Sequence, residues 1–167
     1  MTKALFLGVD PGKKGAIAFL DPVSMDLEIH DMPLSKTSTA KEEIDLRALA
    51  YVLAPYEGYG RLIAVLEKVS SMPSDGHAGA FTFGLGYGAL RMAVIGHGYE
   101  DHYVTPTIWK RHFKLSKDKG VSRSYAQTRF PRFADLFTRV KDDGRAEAAM
   151  IALYGAELFF RSSNPTS

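Results

Sequence analysis

The sequence predicts an α/β fold: a mixed five-stranded sheet, three antiparallel strands followed by two parallel ones, flanked by helices. Three observations lead there. Two apolar runs, Leu5, Phe6, Leu7 and Val9 and then Leu62 to Leu66, have the continuous hydrophobicity of strands covered on both faces. Pro11-Gly12 and the wet pair Lys13-Lys14 turn the first run back into Gly15 to Leu20, and Leu27 to Met32 alternates as a third strand. Apolar residues then recur at helical spacing in several segments further along the chain.

Each element follows in order. Asp10 is the first charged residue of the opening strand and stands where a core strand meets solvent. Asp-Pro-Gly is also ordinary turn chemistry, and alone it does not separate a structural from a chemical role. Leu34 to Lys41 reads as a polar connection, and Ile44, Leu46, Leu49, Ala50, Leu53 and Ala54 predict an amphipathic helix from Glu42 to Pro55. Tyr56 to Gly60 breaks it, and the run Leu62 to Leu66 ends in Glu67, so two buried strands each deliver an acid at their carboxyl end. Val69 to Gly79 is a loop rich in Ser, Pro, Asp and Gly. Ala80 to Gly96 reads as a helix on which Gly84 and Gly88 share a face, suited to packing on the sheet or to a subunit interface. Tyr99 to Val104 is a weak strand, and Thr105-Pro106 opens a short helix containing Trp109 and Lys110. From Ala146 to Phe160 the pattern is that of a buried helix, with Asp143 and Glu147 on one face at its start.

Composition bounds the possibilities. The chain has 167 residues, 46% of them hydrophobic, enough for one domain over residues 1–161 with a flexible tail at 162–167. No cysteine is present, which excludes disulfides and thiolate metal sites. No apolar run approaches the ~18 residues of a membrane span and no signal peptide is evident, so a cytoplasmic protein without membrane contact is expected. The net charge is only +2, yet Pro106 to Arg145 holds eleven Lys or Arg against four Asp or Glu, leaving the remainder net acidic. Such asymmetry predicts a surface for a polyanion, with a solvated helix face as the alternative. Lys110, Lys114, Lys117, Lys119 and Arg123 are the candidate DNA-binding residues, interleaved with Phe113 and Tyr125. The five histidines show no metal-ligand spacing.

Four acids are the candidate chemistry: Asp10 and Glu67 at strand ends, Asp143 and Glu147 on the terminal helix. A carboxylate at a helix start is commonly a cap, but Glu147 lies one turn into an apolar helix, where a buried acid needs a cation or several donors. Arg145, Lys141 or a metal could supply that need. Four such acids can converge on a pair of hard cations about 3.5–4 Å apart, the arrangement for in-line phosphodiester hydrolysis.

Gly8-Val-Asp-Pro-Gly12, Leu66-Glu67, Thr105-Pro-Thr-Ile-Trp-Lys110 and Lys141-Asp-Asp-Gly-Arg-Ala-Glu-Ala148 occur in the order and rough spacing of a known family. On these pieces, which span nearly the whole chain, it resembles the RuvC-type Holliday junction resolvases of the ribonuclease H-like superfamily, particularly small phage and proteobacterial members. The resemblance implies that Asp10, Glu67, Asp143 and Glu147 are catalytic metal ligands, with Asp142 the reserve for Asp143. It implies two Mg²⁺ ions per site, replaceable by Mn²⁺, a homodimer, four-way junction DNA as substrate and no nucleotide cofactor. Ser70 stands where bacterial members carry an aromatic wedge, which leaves Met72 and Phe81 as substitutes to consider. Other readings are a different ribonuclease H-like nuclease, acting on RNA–DNA hybrid or flap DNA, and a non-catalytic binder of branched DNA. Actin-like ATPases and sugar kinases share the strand–Asp–x–Gly turn but need two lobes, which this length does not supply.

Overall fold

A computed structural model of the chain describes residues 3–54, 60–70, 76–116 and 118–160. In chain order its elements are β1 (Ala4–Asp10), β2 (Ala16–Leu20), β3 (Leu27–Asp31), β4 (Leu34–Lys36), β5 (Glu42–Ile44), α1 (Leu46–Leu53), β6 (Arg61–Glu67), α2 (Gly76–Gly96), β7 (Glu100–Val104), α3 (Pro106–His112), α4 (Lys119–Arg129) and α5 (Asp143–Gly155). Strands β3-β2-β1-β6-β7 form one five-stranded sheet in that spatial order. The pairs β1–β2 and β2–β3 are antiparallel, and β1–β6 and β6–β7 are parallel, so the expected α/β architecture is the one observed.

Side-chain alternation divides the core in two. On one face Ala4 and Phe6 of β1, Ala16, Ala18 and Leu20 of β2, and Ile63 and Val65 of β6 pack with α5, Trp109 and Phe130. On the other, Leu5, Leu7 and Val9, Ile17 and Phe19, and Leu62, Ala64 and Leu66 pack with α1 and with Leu90 and Val94 of α2. Continuing the period by one step turns Asp10 and Glu67 toward the face covered by α5. The same register makes them neighbours, because Val9 pairs with Leu66 immediately before them.

Helix α5 lies unusually close to the sheet. A Cβ on Gly8 would collide with the Ala148 carbonyl and the Ala152 backbone, and one on Gly144 would collide with the Lys14 carbonyl and Gly15. Gly144, Ala148, Ala152 and Gly155 recur every three or four residues, so one stripe of small residues forms the seam. Asp143 and Glu147 each precede a seam residue by one position, about 100° around the helix, and therefore line its edge.

Four expectations need correction. Leu34 to Lys41 is not a plain connection: β4 pairs antiparallel with β5, Leu34 opposite Ile44. The helix expected from Glu42 begins at Leu46, because Asp45 caps it by accepting hydrogen bonds from the Arg47 and Ala48 backbone N–H groups, both at 3.0 Å. Ile44 has the spacing of the helix but belongs to the hairpin. Helix α2 starts at Gly76, earlier than expected, and spans 21 residues that include an 18-residue window of mean hydropathy 1.3, long and apolar enough to cross a membrane by length and composition. The expectation that no segment reaches that length considered only unbroken apolar runs, whereas glycine and alanine fill the gaps here. Within the fold α2 is the crossover between parallel strands β6 and β7. Pro55, Met72, Lys117 and the expected tail at 162–167 lie outside the described residues.

The seam predicts opposite outcomes for two glycines. Gly8→Ala overpacks the contact at a cost of about 1–3 kcal/mol or more, because backbone rather than a flexible side chain must move. Gly88 faces open space within the subunit, so in the monomer Gly88→Ala leaves stability unchanged or raises it by up to about 1 kcal/mol through helix propensity. Thermal unfolding followed by circular dichroism separates the two, and equal melting temperatures would contradict the seam.

Candidate active site

The carboxyl ends of the central strands and the start of α5 lie at one end of the sheet. Gly144 packs against Lys14 and Gly15 in the turn that follows Asp10, which places the acidic start of α5 at the carboxyl end of β1. Asp10 is partly buried and accepts a long hydrogen bond, 3.4 Å, from the Gly12 N–H. Glu67 is 6% exposed, and its Oε1 accepts a hydrogen bond from the Trp109 indole N–H at 2.8 Å. Glu147 is 7% exposed and is met by the Lys110 ammonium at 2.7 Å. Lys110 Nζ also lies 5.1 Å from the centroid of the Trp109 ring.

The two candidates for the fourth acid differ sharply in surroundings. Asp142 is buried and spent on Arg139, which donates its backbone N–H at 2.8 Å and its guanidinium at 2.8–3.2 Å. Burial pushes the Asp142 carboxyl up, but the hydrogen bonds and charge of Arg139 pull harder and hold it below its ordinary value of 3.8. Asp143 instead faces Arg123, whose Nε lies 2.8 Å from Oδ1. That is an ion-pair contact without hydrogen-bond geometry, since the N–H is not aimed at the oxygen. Both atoms are buried and lack a hydrogen-bond partner. Further out, Arg145 grips Asp31 with two bonds of 2.6 Å, tying α5 to the end of β3 and holding the Asp31 carboxyl low.

This donor set suits a hard divalent cation: every candidate ligand atom is a carboxylate oxygen, and the buried Asp143 Oδ1 accepts no hydrogen bond. Among the described residues, however, no group of three or more acids or histidines stands close enough to share one ion. The acids are turned instead toward the protein's own donors, Trp109, Lys110 and Arg123.

The basic segment is placed differently from its sequence impression. Lys110, Arg123, Arg129, Arg132, Arg139 and Arg145 stand against Glu147, Asp143, Glu157, Asp26, Asp142 and Asp31. Much of the +7 is therefore matched within the fold. Of the candidate DNA-binding residues, Lys110 and Arg123 reach the acidic site, Lys114 is exposed after α3, and the Lys119 backbone opens α4. Sequence reasoning missed the roles of Trp109 and Arg139. Arg139, three residues before Asp142, carried the legible signal of an opposite-charge pair at i,i+3, whereas nothing local joins Trp109 to Glu67.

No family model and no curated protein matches the chain. Among solved structures it is similar to a Thermus thermophilus RuvC in complex with a Holliday junction substrate, at 15% identity, TM-score 0.57 and 97% coverage of each chain. It is also similar to a second structure of Thermus thermophilus RuvC, at 15% identity, TM-score 0.56 and 95% coverage of each chain. The fold is thus RuvC-like, of the ribonuclease H-like class.

The surroundings of Asp142 set a pH-dependent prediction. A carboxyl lowered by folding stabilises the protein above its unfolded value and loses that contribution as pH falls through the folded one. Asp142→Asn is expected to cost about 1–3 kcal/mol at pH 7, with the gap from wild type closing as pH drops below 3.8. Asp143→Asn removes the charge facing Arg123 but breaks no formed hydrogen bond, so it is expected to cost less stability than Asp142→Asn. Denaturant unfolding at pH 7 and pH 3 measures both, and a gap independent of pH would refute the role given to Asp142.

Proposed function

We propose that the protein is a metal-dependent endodeoxyribonuclease that resolves four-way DNA junctions. The observation carrying this reading is that Asp10 and Glu67 end adjacent strands on the face of the sheet covered by α5, whose first two turns carry Asp143 and Glu147. The RuvC-like fold supports it, as do the basic residues gathered around these acids.

In this reading the four carboxylates hold Mg²⁺, or Mn²⁺ in its place. When bound, such ions supply activation of water and stabilisation of charge on the leaving oxygen of a phosphodiester. The protein's own residues do the rest. Asp10 and Glu67 are fixed by strand register, so their spacing does not depend on a flexible loop. Lys110 and Arg123 neutralise Glu147 and Asp143 and have the chemistry to contact phosphate when those acids take a metal charge. Lys114, Lys117 and Lys119 add positive charge along the same stretch of sequence. A passive DNA binder has no use for acids at two adjacent strand ends beside further acids on α5, whose net charge opposes phosphate to the extent that Lys110 and Arg123 leave it unmatched.

The working unit in this proposal is a homodimer matching the two-fold symmetry of a junction. On α2, Phe81, Leu85, Met92 and Ile95 are 72%, 61%, 62% and 46% exposed, and with Gly88 they recur at four- and three-residue steps along one outward stripe. Leu90 and Val94 take the opposite side, into the core. Gly84 and Gly88 meet nothing within 4 Å, which leaves room for the close approach of a second helix. Phe81, a candidate for the base wedge, lies at the start of this stripe.

Two experiments test the proposal. Asp10→Asn and Glu67→Gln should each lower junction cleavage in Mg²⁺ by at least roughly 100-fold, about 2.7 kcal/mol of barrier, while junction binding in Ca²⁺ or EDTA persists. Asp143→Asn should damage cleavage far more than Asp142→Asn once folded protein is compared. Near wild-type cutting by either of the first two variants would overturn the metal site. For the dimer, a supercoiled plasmid with an extruded cruciform should yield linear product from paired cuts. Only nicked circles, together with a monomer on the junction in sedimentation, would leave a single-strand nuclease.

A further inference from the structure

We infer that Trp109 is a positioning residue for Glu67, an inference that rests on the metal-site reading of that acid. A buried indole N–H needs an acceptor, and a backbone carbonyl would satisfy it. Here the acceptor is the Glu67 carboxylate itself, at 2.8 Å. Trp109 is fully buried, so its ring cannot swing away and the donor is fixed in space. A glutamate at a strand end has three side-chain torsions to settle, and a charge-assisted hydrogen bond from a rigid donor restricts them.

The placement follows from the chain. The Lys68 N–H donates to the Val104 carbonyl at 2.7 Å, extending the β6–β7 ladder one residue past Glu67. Thr105 and Pro106 then start α3 directly above that strand end, and one helical turn later Trp109 faces back onto Glu67. The next residue, Lys110, reaches Glu147 on α5. Consecutive residues of one short helix thus hold an acid from the sheet and an acid from the opposing helix. Trp109 sets the orientation of Glu67, and the Lys110 contact ties that arrangement to α5.

The test removes only the donor. Trp109→Phe keeps an aromatic ring and loses the N–H; should that variant unfold, 3-benzothienyl-alanine at position 109 keeps the bicyclic shape and likewise lacks the donor. Loss of a group that orients a metal ligand typically costs 10–100-fold in affinity. Mn²⁺ affinity measured by calorimetry without DNA should therefore fall about 10–100-fold, and the Mg²⁺ concentration giving half-maximal cleavage should rise by a similar factor. The chain has a single tryptophan, so its emission reports on the contact directly: Mn²⁺ should quench it in wild type and not in Glu67→Gln. Wild-type Mn²⁺ affinity in the donor-free variant, alongside lost binding in Glu67→Gln, would overturn the positioning role and leave the metal site standing. Unquenched wild-type emission at saturating Mn²⁺ overturns it as well. Normal metal binding and cleavage by Glu67→Gln would instead overturn the metal site, and this inference with it.

Discussion

The close contact of α5 with β1 is the constraint on which the rest depends. Gly8 lets the helix backbone descend onto the strand, and Gly144 lets its first turn settle against Lys14 and Gly15. Without those two approaches, Asp143 and Glu147 would stand farther from the strand ends carrying Asp10 and Glu67. Protein interiors are packed too densely to absorb an added methyl group at such a seam without shifting an element. The spacing between acids of the sheet and acids of the helix is therefore written into residues that have no chemistry of their own.

Burying acids has an electrostatic cost, and the molecule meets it with donors from neighbouring elements. Lys110 stands at Glu147, Arg123 at Asp143 and the Trp109 N–H at Glu67. Asp142 is locked by Arg139, and Arg145 anchors the start of α5 to Asp31. Adjacent acids in one sequence run thus play different parts, one structural and one facing the site. The basic segment reads differently in this light: several of its cations have defined carboxylate partners, and its positive charge is not one open surface.

Much of the fold was legible because its signals are local. Apolar runs ending in acids marked β1 and β6, the Pro-Gly turn marked the first hairpin, and the mostly apolar helical pattern from Ala146 marked α5. The β4–β5 hairpin was missed because Ile44 carries a helical spacing while its backbone pairs across a turn, and only the Asp45 cap fixes where α1 begins. The outward face of α2 was legible as glycines sharing a side, but not as exposed, since an apolar helix reads the same whether a sheet or a second subunit covers it.

The sequence by itself determined the five strands of the main sheet, the acids at strand ends and the shared helical face of Asp143 and Glu147, because each depends on periods of two or 3.6 residues within a few turns of backbone. Only the tertiary structure decided which donors meet which acids. Trp109 finds Glu67 across 42 residues, Lys110 finds Glu147 across 37, and Arg145 finds Asp31 across 114. Such pairings depend on crossover connections and on how deeply one helix sinks onto a sheet, and no local pattern in the chain encodes that depth.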